Sequence, residues 1–246
     1  MYQEQRLAEM MRLLESRKQL SNQEMMAYFD VSRDTIRRDF TKLEDQGLVR
    51  RTHGGIVPRQ SQPTIPGFND RLQAFSQVKA AIAQEAAAFL EEGQLCFFDV
   101  STLVLQLAQQ LETGVTVYTH SLDNAIMLSG EEPYELHLLG GQFFPKNRFY
   151  YGLDTAQVLA KIHFDLAFIG AAGLQDGEVT YDDAEDAYLK EIILKQAKTK
   201  ILLAEASKCQ RTAPYSAGSI DQFDYLITDQ APDLPKDAQV QVIISQ

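Results

Sequence analysis

The stretch from Ser21 to Gly55 constrains the chain most, because it packs two helix starts, a helix stop and a tight turn into a few turns' length. Ser21-Asn22-Gln23-Glu24 is a capping-box pattern, with Ser21 as N-cap and Glu24 reaching back to its amide. It opens a short helix through Met25, Met26 and Phe29. Ser32 caps the next helix, whose core-facing residues are Ile36, Phe40 and Leu43, and Gly47 is placed to end it. Two β-prone runs from Leu48 to Val57, around Gly54-Gly55, read as a hairpin. Ahead of these, Leu7, Met10, Met11 and Leu14 recur at helical spacing. Three helices and a hairpin within residues 1–57 give the plan of a winged helix-turn-helix.

At 100° per residue, Arg37, Arg38, Asp34 and Thr41 fall on or near the face opposite that core, with Arg33 on the exposed first turn. Long guanidinium donors there suit phosphate oxygens or the edge of guanine. Thr35 and Lys42 flank them for backbone contacts, and the helix-end amides at Ser32 offer a phosphate site. Arg50, Arg51 and His53 on the hairpin would reach an adjacent groove or phosphate. The alternative is a merely solvated face, with Asp34 and Asp39 pairing the arginines. The two caps and the hairpin together favour double-stranded DNA as partner.

Charge is divided accordingly. The 246 residues carry a net charge of -11, which taken whole argues against nucleic acid. Residues 1–59 hold 11 Lys/Arg against 9 Asp/Glu, net +2, and residues 60–246 hold 12 against 25, net -13. Screening keeps attraction to phosphates local to the basic end, and the acidic body repels non-specific DNA.

Residues 58–76, opening Pro-Arg-Gln-Ser-Gln-Pro-Thr-Ile-Pro, read as a linker. Over 77–246, helical patterns (77–91, 103–111, from about 121, 183–197) alternate with strand patterns. The strands fall at 95–98, 115–118, 136–139, 165–169, 200–204, 225–228 and 240–244, so this part reads as α/β with a mostly parallel sheet.

The run Val31-Ser32-Arg33-Asp34-Thr35-Ile36-Arg37-Arg38-Asp39, then Leu43-Glu44-Asp45-Gln46-Gly47-Leu48-Val49-Arg50-Arg51 and His53-Gly54-Gly55, resembles the DeoR (deoxyribose-operon repressor) family. The resemblance implies a repressor of a sugar-metabolism operon. It also implies a C-terminal sensor related to ribose-phosphate isomerase that responds to a phosphorylated sugar. Asp99-Val100-Ser101-Thr102-Leu103 matches the family's phosphate turn, usually Asp-x-Gly-Thr-Thr, with Ser101 and Leu103 departing from it. Thr119-His120-Ser121 stands where Thr-Asn-Ser is usual, and Gly140-Gly141 ends the next strand as in the family. The segment 180–190 resembles the one supplying acids and a lysine, here Asp183, Glu185 and Lys190. Ser207-Lys208 matches the family's Ser-Lys, making Lys208 the first choice for a phosphate partner, with Arg148 a second. Capping at Ser101 and an acidic helix start near Asp183 are the plainer readings of two of these segments.

Two other classes stay open. An isomerase-like enzyme would use Asp183 or Glu185 with Lys208, and an architectural DNA binder would have no ligand. Cys96 and Cys209 lie 113 residues apart, which suits a reducing compartment and offers neither a disulfide framework nor a zinc site. The charged start and short apolar runs point to a cytoplasmic chain without a membrane span. The expectation is therefore a homo-oligomer without cofactor or metal, partnered by operator DNA and a sugar phosphate.

Overall fold

The computed structural model describes residues 3–17, 19–46, 48–52, 54–58, 77–130 and 133–245. Gly47, His53 and all of the expected linker except Pro58 lie outside them. The chain forms two compact units, Met1–Thr64 and Ile65–Gln246.

In the first unit, α1 (Gln3–Arg17) is followed by β1 (Leu20–Ser21), α2 (Asn22–Phe29), α3 (Arg33–Asp45), β2 (Val49–Arg51) and β3 (Gly55–Pro58). The capping box is formed: the Glu24 amide donates to Ser21 Oγ at 3.2 Å, and the Ser21 amide donates to Glu24 Oε2 at 3.0 Å. Ser32 Oγ accepts from the Thr35 amide and starts α3. Ile36, Phe40 and Leu43 are buried with Leu7, Met10, Leu14 and Met25, so one apolar cluster holds the three helices. A detail absent from the sequence reading is β1, which pairs with the outer edge of β3 through Leu20 with Ile56 and Ser21 with Gly55. A Cβ on Gly55 would stand 1.9 Å from the Leu20 carbonyl oxygen. That glycine is therefore needed for strand approach, whereas the sequence suggested only a turn.

The second unit runs α4 (Gln77–Ala87), β4 (Leu95–Phe98), α5 (Thr102–Gln109), β5 (Thr116–Thr119), α6 (Leu122–Met127) and β6 (Glu135–Leu138). A hairpin of β7 (Gln142–Phe144) and β8 (Phe149–Tyr151) follows, then α7 (Leu153–Leu159) and β9 (Phe164–Gly170). Next come β10 (Gly173–Gln175), β11 (Glu178–Tyr181), α8 (Ala184–Gln196), β12 (Ala197–Leu203), β13 (Tyr215–Ser219), β14 (Tyr225–Thr228) and β15 (Gln241–Ile244). Seven strands form a parallel sheet in the order β15-β14-β12-β9-β4-β5-β6. Side chains alternate across it: Phe97 packs with Ile169, Leu189, Ile193 and Leu202, while Phe98 packs with Ile82, Val104, Phe168 and Ile201. Helices thus cover both faces, as a parallel sheet requires. Neither the β7–β8 hairpin nor the small β10-β11-β13 sheet was anticipated.

From β4 the chain first winds outward through β5 to β6. It then returns to the opposite side of β4 with β9 and winds the other way. The crevice beyond the C-terminal ends of β4 and β9 is the topological switch point, where open α/β sheets bind ligands. Burial pushes the Cys96 thiol, in the middle of β4, up to about 12, so it stays protonated and inert. No helix among the described residues is long and apolar enough to cross a membrane.

Replacing Ser21 with Ala removes the N-cap of α2 and is expected to lower the stability of the N-terminal unit by about 1 kcal/mol. Thermal unfolding checks this, as a fall of about 4–8 °C for a unit of that size. An unchanged midpoint contradicts it.

Candidate functional site

On α3, Ser32, Arg33, Arg37, Arg38, Thr41 and Lys42 are exposed, as is Arg50 on β2. Thr35 is half-buried and shares a 2.9 Å hydrogen bond with Ser32 Oγ. Among the described residues, Arg33, Arg37, Arg38 and Arg50 make no ion pair with a carboxylate, so the arginines face outward as a free cationic ridge. One part of the alternative reading and one expectation need correction. Asp39 does not pair with these arginines: it is fully buried and accepts from Arg6 of α1 at 2.8 Å. Arg51 does not project from the hairpin. Its guanidinium donates to the Arg37 carbonyl at 3.1 Å and lies 5.8 Å from the Phe40 ring, tying the wing to α3. His53 lies outside the described residues.

At the switch point, Asp99 leaves the end of β4 and is wholly buried. Its Oδ2 accepts from the Gly170 amide at the end of β9 at 2.9 Å, and its Oδ1 lies 2.8 Å from the Lys190 ammonium. Lys190, itself buried on α8, also donates to Asp186 one turn earlier and sits 4.5 Å over the Tyr181 ring. His120, at the end of β5, stacks on Phe97 and brings Nε2 within 3.1 Å of Asp186 Oδ1. Burial alone would raise Asp186, but the Lys190 charge and the His120 contact outweigh it and hold the carboxyl below its ordinary value. Burial likewise opposes charge on Lys190, and Asp186 and Asp99 overcome it and raise its pKa. Asp99, His120 and Asp186 are close enough together to hold a metal ion. The Lys190 ammonium already lies between the two carboxylates and supplies the positive charge.

Above this cluster is a small cavity of about 30 Å³. It is lined by Val100 and Ser101 from the β4–α5 turn, Asn147 from the β7–β8 loop, Gly170 to Ala172, Tyr181, Asp182 and Asp186. Ser101 is the N-cap of α5, accepting from the Val104 amide at 3.0 Å. A Cβ on Gly170 would stand 2.4 Å from that of Ser101, so only glycine lets the turn close over β9. Burial, followed by the charges of Asp99 and Asp186, keeps the Tyr181 phenol neutral. Its buried hydroxyl has no hydrogen-bond partner among the described residues.

Of the residues expected to meet an effector, only Ser101 lines this cavity. Asp99, His120 and Lys190 lie in the polar cluster beneath it. Thr102 is buried in the first turn of α5. Thr119 and Ser121 do not reach the cavity: Thr119 Oγ1 donates to the Phe98 carbonyl at 2.7 Å, and Ser121 Oγ accepts from the Asn124 amide as the N-cap of α6. Gly141 serves the β7–β8 hairpin instead, since it has φ of 135° and a Cβ there would meet the Tyr151 carbonyl at 2.2 Å. A Cβ on Gly140 would meet nothing among the described residues, and the Gly140 carbonyl accepts from Thr155 at 2.7 Å. Arg148 is committed to Asp123 by two hydrogen bonds of 2.7 and 2.8 Å. Asp183 receives a hydrogen bond from Asn147, and burial raises its pKa. Glu185, half-buried on the first turn of α8, does not line the cavity. Lys208 is buried in a short turn after β12, where its amide donates to Glu205, and does not line the cavity either. The sequence reading missed Asn147. In sequence, Gly170 reads only as one of the glycines of 170–173 that let backbone approach a ligand, and Tyr181 and Asp186 only as members of the segment 180–190, without roles of their own. Asp186 left a further signal in its i,i+4 spacing from Lys190.

The first unit thus has the architecture of a DNA-binding winged helix-turn-helix, and the second presents a polar cavity where α/β sheets take ligands. The pattern of the DeoR-like helix-turn-helix domain matches residues 6–62, and that of the DeoR C terminal sensor domain matches residues 75–230. The HTH-type transcriptional repressor GlcR of Bacillus subtilis (strain 168) is 35% identical over 233 residues, covering 94% of this chain and 90% of that protein. The Glycerol-3-phosphate regulon repressor of Escherichia coli (strain K12) is 28% identical, covering 94% and 93%. Among solved structures, a D-ribose-5-phosphate isomerase in complex with phospho-erythronic acid aligns over 55% of each chain, with 16% identity and a TM-score of 0.40. The chain belongs to the DeoR family of transcription regulators: it is a DNA-binding regulator and not an enzyme.

Replacing Lys190 with Met strands two buried carboxylates without their cation, and such a loss typically costs about 3–5 kcal/mol. Because Asp186 is held low in the native protein, its contribution is present above the ordinary carboxylate range and lost as pH falls through the folded value. The raised Lys190 contributes throughout neutral and acid pH and is lost only in alkali. The gap between wild type and variant should therefore be widest near neutrality and narrow in acid, where Asp186 takes up a proton. Urea unfolding across that range checks this, and a gap independent of pH contradicts it.

Proposed function

We propose that the chain represses a sugar-metabolism operon and that a phosphorylated sugar, bound at the switch-point cavity, controls it. The observation carrying this reading is the convergence at one cavity of a helix start capped by Ser101, an unpartnered Tyr181 hydroxyl and the polar side chains of Asn147 and Asp182. Amides at the start of α5 and the Ser101 hydroxyl suit a phosphate dianion. Asn147, Asp182 and Tyr181 suit sugar hydroxyls. The names of the relatives, a repressor in Bacillus subtilis and a glycerol-3-phosphate regulon repressor in Escherichia coli, agree with this reading. A cavity of about 30 Å³ holds a water molecule and no sugar, so in this reading the β7–β8 loop carrying Asn147 moves outward to admit the effector. The operator is read by Arg37 and Arg38, with Arg33, Lys42 and Arg50 on phosphates. The working form is a homo-oligomer, matched to a two-fold operator.

The test is calorimetric titration of the full chain with sugar phosphates and their unphosphorylated parents. The phosphates should bind and the parents should not, and Ser101→Ala should weaken binding by about tenfold, the worth of one charge-assisted hydrogen bond. Equal affinity for free sugars, or normal binding by the Ser101 variant, overturns the site.

On the DNA side, Arg37→Ala or Arg38→Ala should each weaken binding to the preferred duplex by about 1–3 kcal/mol with relaxed base preference, whereas Lys42→Ala should weaken all duplexes alike. Fluorescence anisotropy on preferred and scrambled duplexes separates these outcomes.

A further inference from the structure

We infer that Arg6, with Gln3, is a positioning residue for DNA reading: from α1 it clamps Asp39 and so sets the roll of α3 about its own axis. The inference rests on the reading of Arg37 and Arg38 as base-contacting residues. Arg6 Nε donates to Asp39 Oδ2 at 2.8 Å and its Nη2 to Oδ1 at 3.3 Å, a side-on two-point pair. Gln3 Nε2 adds a third bond to Oδ1 at 2.8 Å, and Lys42 reaches Gln3 Oε1 at 3.4 Å. The side chains of Arg6 and Asp39 are 10% and 1% exposed, so the pair is an internal one and not a surface ornament.

Three arguments assign it a positioning role. First, the rest of the inner face of α3 is Ile36, Phe40 and Leu43, whose apolar contacts are non-directional. A bidentate arginine–carboxylate pair is directional and defines the roll of the helix. Second, Asp39 lies about 160° round the helix from Arg37 and about 100° from Arg38, so pinning the inner edge fixes where both guanidinium groups point. At a side-chain radius of about 6 Å, a roll of about 20° carries an outward tip about 2 Å, more than a two-point contact to a base tolerates. Third, a buried ion pair is a poor stability device, since well-packed apolar residues often serve as well or better. Its retention on the back of a reading helix is explained by orientation.

The test uses the full chain and a preferred duplex selected from a random library, with a scrambled duplex as reference. The deciding variant is the double replacement Arg6→Met with Asp39→Leu, which removes the charges without stranding either one. Its preference for the selected over the scrambled duplex should fall by about tenfold or more, while affinity for the scrambled duplex changes by less than about threefold. A merely structural pair would move neither number in a folded variant. A double variant that melts like wild type and keeps the wild-type preference overturns the inference. Should the double variant not fold, Arg6→Lys carries the same test, because it keeps the charge but loses the planar fork. A lower preference then supports the inference and an unchanged one overturns it. Arg38→Ala in the same assay separates the two levels. If it relaxes preference and the clamp variants do not, only the clamp fails. If neither does, the reading of α3 itself fails.

Discussion

The ammonium of Lys190, buried between Asp99 and Asp186, is the contact on which the sensor unit depends. An unpaired charge in that position would cost several kcal/mol, a large share of the stability of a domain. Shared between two carboxylates and shielded by the Tyr181 ring, it instead draws together four parts of the fold. Asp99 ends β4 and holds the Gly170 amide of β9, Asp186 and Lys190 come from α8, and His120 ends β5. The cluster therefore sits at the place where the winding of the sheet reverses, and it forms the floor of the cavity above. A metal ion could have met the same need for positive charge, and here a lysine one helical turn from its acid meets it.

That commitment shapes how an anion could be held. The sensor unit is strongly acidic, and the cations nearest the cavity are already engaged: Lys190 twice, Lys146 with Asp182 at 3.0 Å, and Arg148 with Asp123. A phosphate in this crevice would rest mainly on backbone amides at the start of α5, which are fixed partial charges and carry no side-chain entropy cost, with the Ser101 hydroxyl beside them. The DNA-binding unit follows the opposite plan, with arginines unpaired outward and their supporting charge pair, Arg6 with Asp39, turned inward. In both units the buried ion pair orders the backbone around it.

Much of the fold was legible because its signals are local. The Ser21 box, the Ser32 cap and the Ile36-Phe40-Leu43 stripe need only neighbouring residues to be read, and each forms as written. The parallel strands were legible as short apolar runs between helical patterns. By contrast, β1 is two residues long and exists only because β3 offers it an edge. The β10-β11-β13 sheet likewise depends on pairings far apart in sequence. The site was legible in part. Asp99 and Ser101 stand out at a strand end before a helix, but a hydroxyl that caps a helix and one that binds a ligand are the same residue type in the same place. Thr119 and Ser121 were therefore assigned outward when their bonds run inward. Arg148 and Lys208 drew attention as cations, since a sequence does not display the acid that already holds one or the burial of the other.

The central claim is that a ligand at the switch point and DNA at α3 bias one equilibrium. Such coupling is reciprocal: whatever factor the effector imposes on operator affinity, the operator must impose on effector affinity. The direct measurement is titration of a bound sugar phosphate into the full chain alone and into the same chain saturated with its preferred duplex. For a repressor released by its effector, the account predicts weaker sugar-phosphate binding to the DNA complex, by about 5- to 150-fold, the usual range for such coupling. Equal affinity for the free and DNA-bound chain would contradict it, because a ligand blind to the operator cannot regulate the protein's hold on it.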